Sequence, residues 1–166
     1  MSKPPVFDEQ EAHKYFSAHC FNKTWNFIDK PARTVEEGEE MLRTCLASLW
    51  HWSQRADVTP QNLAVGYWQA SRVFALLGKT DDARRYGKLS LEHSKGLEPF
   101  YEGYAYEALA RSEMTAGDQV KMNDYLSKAQ SLCAGIVDRE SKKTPGSRSG
   151  LNQVELVYEP SHHQIH

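Results

Sequence analysis

Cysteine is scarce in this 166-residue chain, and neither sign of charge dominates it. The three cysteines, Cys20, Cys45 and Cys133, show no CxxC or other metal-ligand spacing, so the sequence predicts neither a disulfide framework nor a zinc site. We expect all three to be buried thiols in a reducing compartment. Basic and acidic residues nearly balance, to a net charge of −2, which gives no reason to expect a nucleic-acid partner.

Long hydrophobic runs are also missing. No apolar stretch approaches the roughly 20 residues that a membrane-spanning helix needs, and residues 1–8 lack the apolar core of a secretion signal. No Gly-rich phosphate-binding loop or nucleophile motif occurs, and no HxxxH or HExxH pattern accompanies His51. We therefore expect a cytoplasmic, non-enzymatic protein with no cofactor and no metal, which contacts neither membranes nor nucleic acid.

Apolar residues follow a helical spacing through positions 7–142, and no segment sustains a period of two. The sequence thus predicts one all-α domain, which capping and turn residues divide into about six antiparallel helices. The predicted starts are Asp8, Thr34, Thr59-Pro60, Thr80, Pro99 and the turn at Gly117-Asp118. Residues 143–166 are predicted to be a flexible C-terminal tail, whose histidines nothing pre-orients for a metal.

A weak internal repeat relates the helical hairpins to one another. A shift of 39 residues superposes turn glycines, aromatic residues and an arginine. The superposed pairs are Tyr67 with Tyr106, Arg72 with Arg111, Gly78 with Gly117 and Tyr86 with Tyr125. A shift of 46 residues, which lays Thr34 on Thr80, adds a degenerate earlier copy. A period of about 40 predicts stacked αα-hairpins, and three hairpins are the minimum for a stable stack.

The order of large, small and turn residues in these hairpins resembles that of tetratricopeptide repeats (TPR). The matching residues are Tyr67, Ala70, Ser71, Phe74, Gly78 and Ala83 in one copy, and Tyr106, Leu109, Ala110, Gly117, Leu126 and Ala129 in the next. Gly87, Ser90, Glu113 and Met122 depart from the family pattern, and the period exceeds the usual one of about 34 residues. The chain is also similar to small bacterial TPR-like proteins of unassigned function. The resemblance implies a right-handed solenoid of three stacked αα-hairpins and names no activity.

In the TPR family the first helix of each hairpin lines a concave groove. Carried onto this chain, the resemblance puts these residues at groove positions: His19, Asn22, Lys23 and Asn26; Val65, Trp68, Arg72 and Ala75; and Tyr104, Glu107, Arg111 and Met114. Arginines in register can bind a carboxylate or a phosphate. Aromatic rings suit a peptide side chain, and Glu107 can orient Arg111. The structural alternative is a plain helix salt bridge between Glu107 and Arg111, with Arg72 as a solvated charge.

The sequence leaves three functional hypotheses open. The leading one is a TPR-like module that binds a peptide or protein segment, with the predicted contacts Trp68, Arg72, Tyr104, Glu107, Arg111, His51, His19 and Asn22. The second is a small-ligand-binding protein or an enzyme with a polar pocket near His51, Arg72 and Glu107. The third is a self-associating module, because an uncovered last hairpin offers Leu132, Ile136 and Val137 to a second copy.

Overall fold

The computed structural model describes the backbone of residues 7–143 and the side chains of residues 7–135. The described residues form six α-helices and no β-strand, which confirms the predicted all-α class. The helices are α1 (Glu9–Ile28), α2 (Val35–Gln54), α3 (Pro60–Leu76), α4 (Thr80–Ser94), α5 (Pro99–Ala116) and α6 (Gln119–Lys143). The predicted tail lies outside the described residues, except for Lys143. None of the described helices combines the length and the apolar character that crossing a membrane requires.

Side-chain caps fix the first three helix starts at the residues that the sequence predicts. Asp8 caps α1 by accepting a hydrogen bond from a first-turn N–H. Thr34 with Glu37, and Thr59 with Asn62, form reciprocal capping boxes ahead of α2 and α3. Each cap satisfies an N–H group that has no partner within the first turn, which is worth about 1 kcal/mol.

The predicted start of α4 is wrong by one residue. Thr80 is the first residue of the helix, and Lys79 occupies the cap position without a side-chain hydrogen bond. The cause is the tight turn at Gly78, where φ is +70°. There the N–H of Lys79 bonds to the carbonyl of Phe74 at 2.9 Å, while the carbonyl of Lys79 already accepts from Ala83 at 2.9 Å. Lys79 therefore ends the turn after α3 and is also the N-cap of α4, so Thr80 already lies inside the helix.

The turn after α5 repeats the turn after α3. Gly117 has φ of +76°, and the N–H of Asp118 bonds to the carbonyl of Glu113 at 2.9 Å. This left-handed conformation favours glycine, which has no Cβ to clash with the following carbonyl. Gly78 and Gly117 are the turn residues that the 39-residue shift superposes, so the sequence repeat has a direct counterpart in the backbone.

Consecutive helices pack as hairpins, α1 with α2, α3 with α4 and α5 with α6. The first helices of the hairpins also touch each other, since α3 packs against both α1 and α5. By contrast, no described Cα atoms of α2 and α4, or of α4 and α6, come within 8 Å. The first helices of the hairpins therefore form one contiguous layer, which we call the α1–α3–α5 face, whereas the second helices are separated from one another.

Small side chains on α4 allow it to approach closely both α5 of the next hairpin and α3 of its own. A Cβ added at Gly87 would lie 2.9 Å from Cδ2 of Leu109, a side chain that is only 1% exposed. The hydroxyl of Ser90 donates to the carbonyl of Ala64 at 2.9 Å, so this buried polar group is satisfied. Gly87 and Ser90, which depart from the TPR pattern, are thus packing positions in this stack.

Only one of the three cysteines is fully buried, so the prediction for the other two is wrong. Cys45 lies in the core, where burial raises the pKa of its thiol to about 12. Cys20 and Cys133 are half-buried and unpaired. They lie on α1 and α6, which end the stack and are covered on fewer sides than the internal helices.

Candidate functional site

A row of aromatic rings crosses the α1–α3–α5 face. Trp25 of α1, Trp68 of α3, and Tyr104 and Phe100 of α5 follow one another, with centroid separations of 5.6, 5.3 and 6.0 Å. We call these four residues the aromatic row. The first three are half-buried and Phe100 is 38% exposed, so each ring keeps part of its apolar area at the surface, and Trp25 also packs against the core.

A buried carboxylate lies beside the row. Glu107 is 7% exposed and accepts a hydrogen bond from the indole Nε1–H of Trp68 at 3.1 Å. Its other oxygen pairs with Nε of Arg111, one helical turn further along α5. The predicted pairing of Glu107 with Arg111 is therefore present. Trp68 and Glu107 are 39 residues apart, so equivalent positions of successive hairpins are in direct contact.

Arg72 is the cation of this site that has no acid bonded to it. Its guanidinium stacks on the ring of Trp25, with Cζ 5.4 Å from the centroid. Burial and the positive charge of Arg111 lower the pKa of the guanidinium, and they outweigh the opposing effects of Glu107 and Asp29. An arginine remains charged in spite of such a shift. The site therefore holds two positive charges against one buried carboxylate.

The structure brings five of the eight predicted contact residues together. Trp68, Arg72, Tyr104, Glu107 and Arg111 are linked by the ring contacts, the hydrogen bonds and the electrostatic coupling described above. The structural alternative holds for the ion pair on α5, but it fails for Arg72, which is half-buried against an indole.

Histidines 51 and 19 lie elsewhere. His51 contacts His13, with 2.8 Å between the two Nδ1 atoms, and its ring stacks on Phe16 at 5.3 Å. Burial and then His13 lower the pKa of His51. Trp25 follows His13 by twelve positions on α1, which is about 18 Å along the helix. His19 stacks on Tyr15 at 5.2 Å, also away from the aromatic row. Asn22 is half-buried one turn before Trp25, on the side of α1 that leads to the row.

Two members of the aromatic row were missed by the sequence analysis. The 46-residue shift lays Trp25 on Ser71, which belongs to the packing pattern of the TPR resemblance and not to its groove positions. Phe100 precedes Tyr104 by four residues, and this spacing alone puts both rings on one helical face. That spacing could have revealed Phe100 from the sequence, whereas the position of Trp25 depends on how α1 packs.

Other polar features of the described residues do not extend the site. No three His, Cys, Asp or Glu side chains of the described part lie close enough to hold a metal ion. A surface hollow of about 480 Å³ lies on α4 and is lined by that helix alone, from Asp81 to Glu92. Lys23, a predicted groove residue, pairs with Glu40 of α2 at 3.0 Å.

Similarity to known proteins adds nothing to this picture. No protein-family model, curated protein or solved structure matches the chain. Any functional assignment therefore rests on the side chains gathered on the α1–α3–α5 face.

Proposed function

We propose that this chain is a non-enzymatic, TPR-like interaction module that binds an extended peptide or protein segment along the α1–α3–α5 face. The observation that carries the proposal is the aromatic row, whose neighbouring rings lie 5.3 to 6.0 Å apart across three helices. An extended peptide presents side chains on one face every two residues, or about 6.6 Å. Successive rings are therefore spaced to meet alternate side chains of such a segment.

The composition of the site supports binding in preference to catalysis. Aromatic and arginine side chains contribute most of the binding energy at many protein interfaces. The carboxylate of Glu107 is already bonded to Trp68 and Arg111, so it is held in place and not poised to accept a substrate proton. The unpaired cysteines are compatible with the cytoplasm as the proposed compartment.

The alternative of a small-ligand pocket or enzyme receives less support from this geometry. It requires His51 to converge with Arg72 and Glu107, but His51 packs on His13, about 18 Å along α1 from the ring that Arg72 contacts. The third hypothesis, self-association of the last hairpin, stays a prediction. It involves Ile136 and Val137, whose side chains lie outside the described residues.

The proposal can be tested by selecting binders from a library of random 12-residue peptides and measuring their affinity for two alanine variants. Phe100→Ala shortens the aromatic row, and Trp50→Ala removes an exposed ring from α2 as the matched control. We expect Phe100→Ala to weaken binding about 3- to 10-fold, and Trp50→Ala to leave it unchanged. Failure to select any peptide, or equal effects of both variants, would contradict the proposal.

A further inference from the structure

Arg72 has an unmet requirement that points to the chemistry of the bound segment. Its Nε is the only buried side-chain nitrogen or oxygen of the described residues that lacks a hydrogen-bond partner. A buried donor without a partner costs about 1–3 kcal/mol, and more when it belongs to a charged group. The Nε itself has almost no accessible surface, so a ligand can meet Arg72 only through the outer Nη atoms of the half-buried side chain.

Another arginine in the same fold shows what a completed site looks like. Arg84 of α4 donates through Nε and Nη2 to the two oxygens of Glu113, at 2.9 and 2.7 Å. Glu113 is as well buried as Glu107. The fold can therefore supply a planar, two-point partner for a guanidinium, and it supplies none for Arg72.

The charges around Arg72 define what is missing. Glu107 uses one oxygen for Trp68 and the other for Arg111, so its negative charge is already balanced. Asp29 also attracts Arg72, but it is exposed and acts more weakly than either Arg111 or Glu107. One positive charge is thus left over beside the aromatic row. A single carboxylate balances it, whereas a phosphate monoester carries about −1.5 to −2 and would leave excess negative charge near Glu107.

We propose that the α1–α3–α5 face recognises an acidic peptide segment of a partner protein, in which a carboxylate pairs with Arg72 and a neighbouring apolar side chain packs on Trp68 and Tyr104. This inference rests on the proposed function. The carboxylate pairs with the outer Nη atoms of the guanidinium, because the Nε is closed off from solvent. Trp25 stacks on one face of the Arg72 guanidinium and holds the guanidinium plane in a fixed orientation for the ligand.

Three hexapeptides of one design test the requirement for a carboxylate. The first is acetyl-Glu-Ser-Phe-Ser-Leu-Gly-amide, which in an extended conformation presents Glu, Phe and Leu on one side. The second replaces Glu with Gln, and the third is the Gln peptide with a free C-terminal carboxylate. We expect the first to bind at least 10-fold more tightly than the second, because a side-chain carboxylate pairs with Arg72. Tight binding of the third peptide alone would assign the site to a chain terminus and overturn the acidic segment. Equal binding of all three peptides overturns the inference. It is also overturned if inorganic phosphate displaces the first peptide at lower concentrations than acetate does.

Two charge-removing variants of the full chain assign the effect to Arg72. Arg72→Gln is expected to lower affinity for the carboxylate peptide at least 10-fold and to leave affinity for the neutral Gln-amide peptide unchanged. Arg85→Gln removes the same charge from an exposed position of α4, and we expect less than a 2-fold effect. The buried Nε of Arg72 donates no hydrogen bond, so Arg72→Gln removes no partner of that atom and should fold. Equal losses in both variants would refute the assignment.

A separate variant tests whether the chain's own C-terminal residues fill the site. Glu155 and Glu159 lie beyond the described residues, and the double change to Gln leaves a full-length chain. We expect the affinity for the carboxylate peptide to be unchanged. A rise of 5-fold or more would identify an internal competitor and overturn the assignment to a partner protein. If none of the hexapeptides and no library peptide binds, the proposed function itself fails; if neutral peptides bind as well as acidic ones, only the carboxylate inference fails.

Discussion

Neutralising Glu107 should make the protein less stable and, at the same time, better at binding acidic peptides. The carboxylate is 7% exposed and accepts from both Trp68 and Arg111. Removing one partner of a buried ion pair typically costs 3–5 kcal/mol. In Glu107→Gln the amide oxygen can still accept one of the two hydrogen bonds, so we expect a loss of about 2–3 kcal/mol.

This loss is large enough to measure by thermal unfolding. For a chain of this size, 1 kcal/mol shifts Tm by about 2–4 °C, so the expected decrease is about 4–12 °C. Glu39→Gln makes the same chemical change at an exposed position of α2, and it should shift Tm by less than about 2 °C. Similar Tm values for the two variants would show that Glu107 does not hold the site together.

The same variant separates binding from stability. Without the charge of Glu107, Arg111 is released and a ligand carboxylate meets two unbalanced guanidinium groups. We expect Glu107→Gln to bind the Glu hexapeptide about 2- to 5-fold more tightly than wild type, measured by calorimetry well below its Tm. Weaker binding by the folded variant would refute this charge balance, because it would mean that Glu107 helps to hold the ligand.

Further predictions concern packing and pH. Gly87→Ala should be at least 1 kcal/mol less stable than Gly135→Ala in urea unfolding. Both changes raise helix propensity, but only the first places a Cβ 2.9 Å from Leu109. Equal urea midpoints of the two variants would contradict this packing. The pKa of His51 is lowered by burial and by His13, so the folded state binds fewer protons than the unfolded state. The contribution of His51 to the free energy of unfolding is therefore fully present above the ordinary histidine pKa and decreases as the pH falls below it. In His51→Gln the urea midpoint should change less between pH 8 and pH 5 than in the wild type. An equal change in both proteins would contradict this.

Local sequence signals predict most of the helix boundaries and all of the site residues except Trp25 and Phe100. Thr34 and Thr59 start helices because a cap depends on a few neighbouring residues. Trp68 and Glu107 are found from sequence because the 39-residue repeat sets the register of α3 against α5, and that register is visible without coordinates. The sequence places the cap of α4 at Thr80, but the turn at Gly78 puts Lys79 in that position. The geometry of this turn depends on both α3 and α4.

The first hairpin shows why the rest of the site could not be predicted. Its sequence aligns with the later copies only at a different offset, so the rotation of α1 about its axis is not fixed by the repeat. That rotation follows from packing against α2 and α3, and it turns Trp25 toward Trp68 and Arg72. His51 was predicted as a contact residue from its residue type alone, whereas the structure places it against His13.

The indole N–H resonances of the four tryptophans test the central claim most directly. Trp25 and Trp68 lie on the α1–α3–α5 face, whereas Trp50 and Trp52 lie on α2 and serve as internal controls. During an NMR titration with the Glu hexapeptide, the account predicts saturable shifts of the Trp25 and Trp68 signals, no shift of the other two, and loss of the response in Arg72→Gln. Shifts confined to Trp50 and Trp52, or shifts that survive Arg72→Gln, would contradict it.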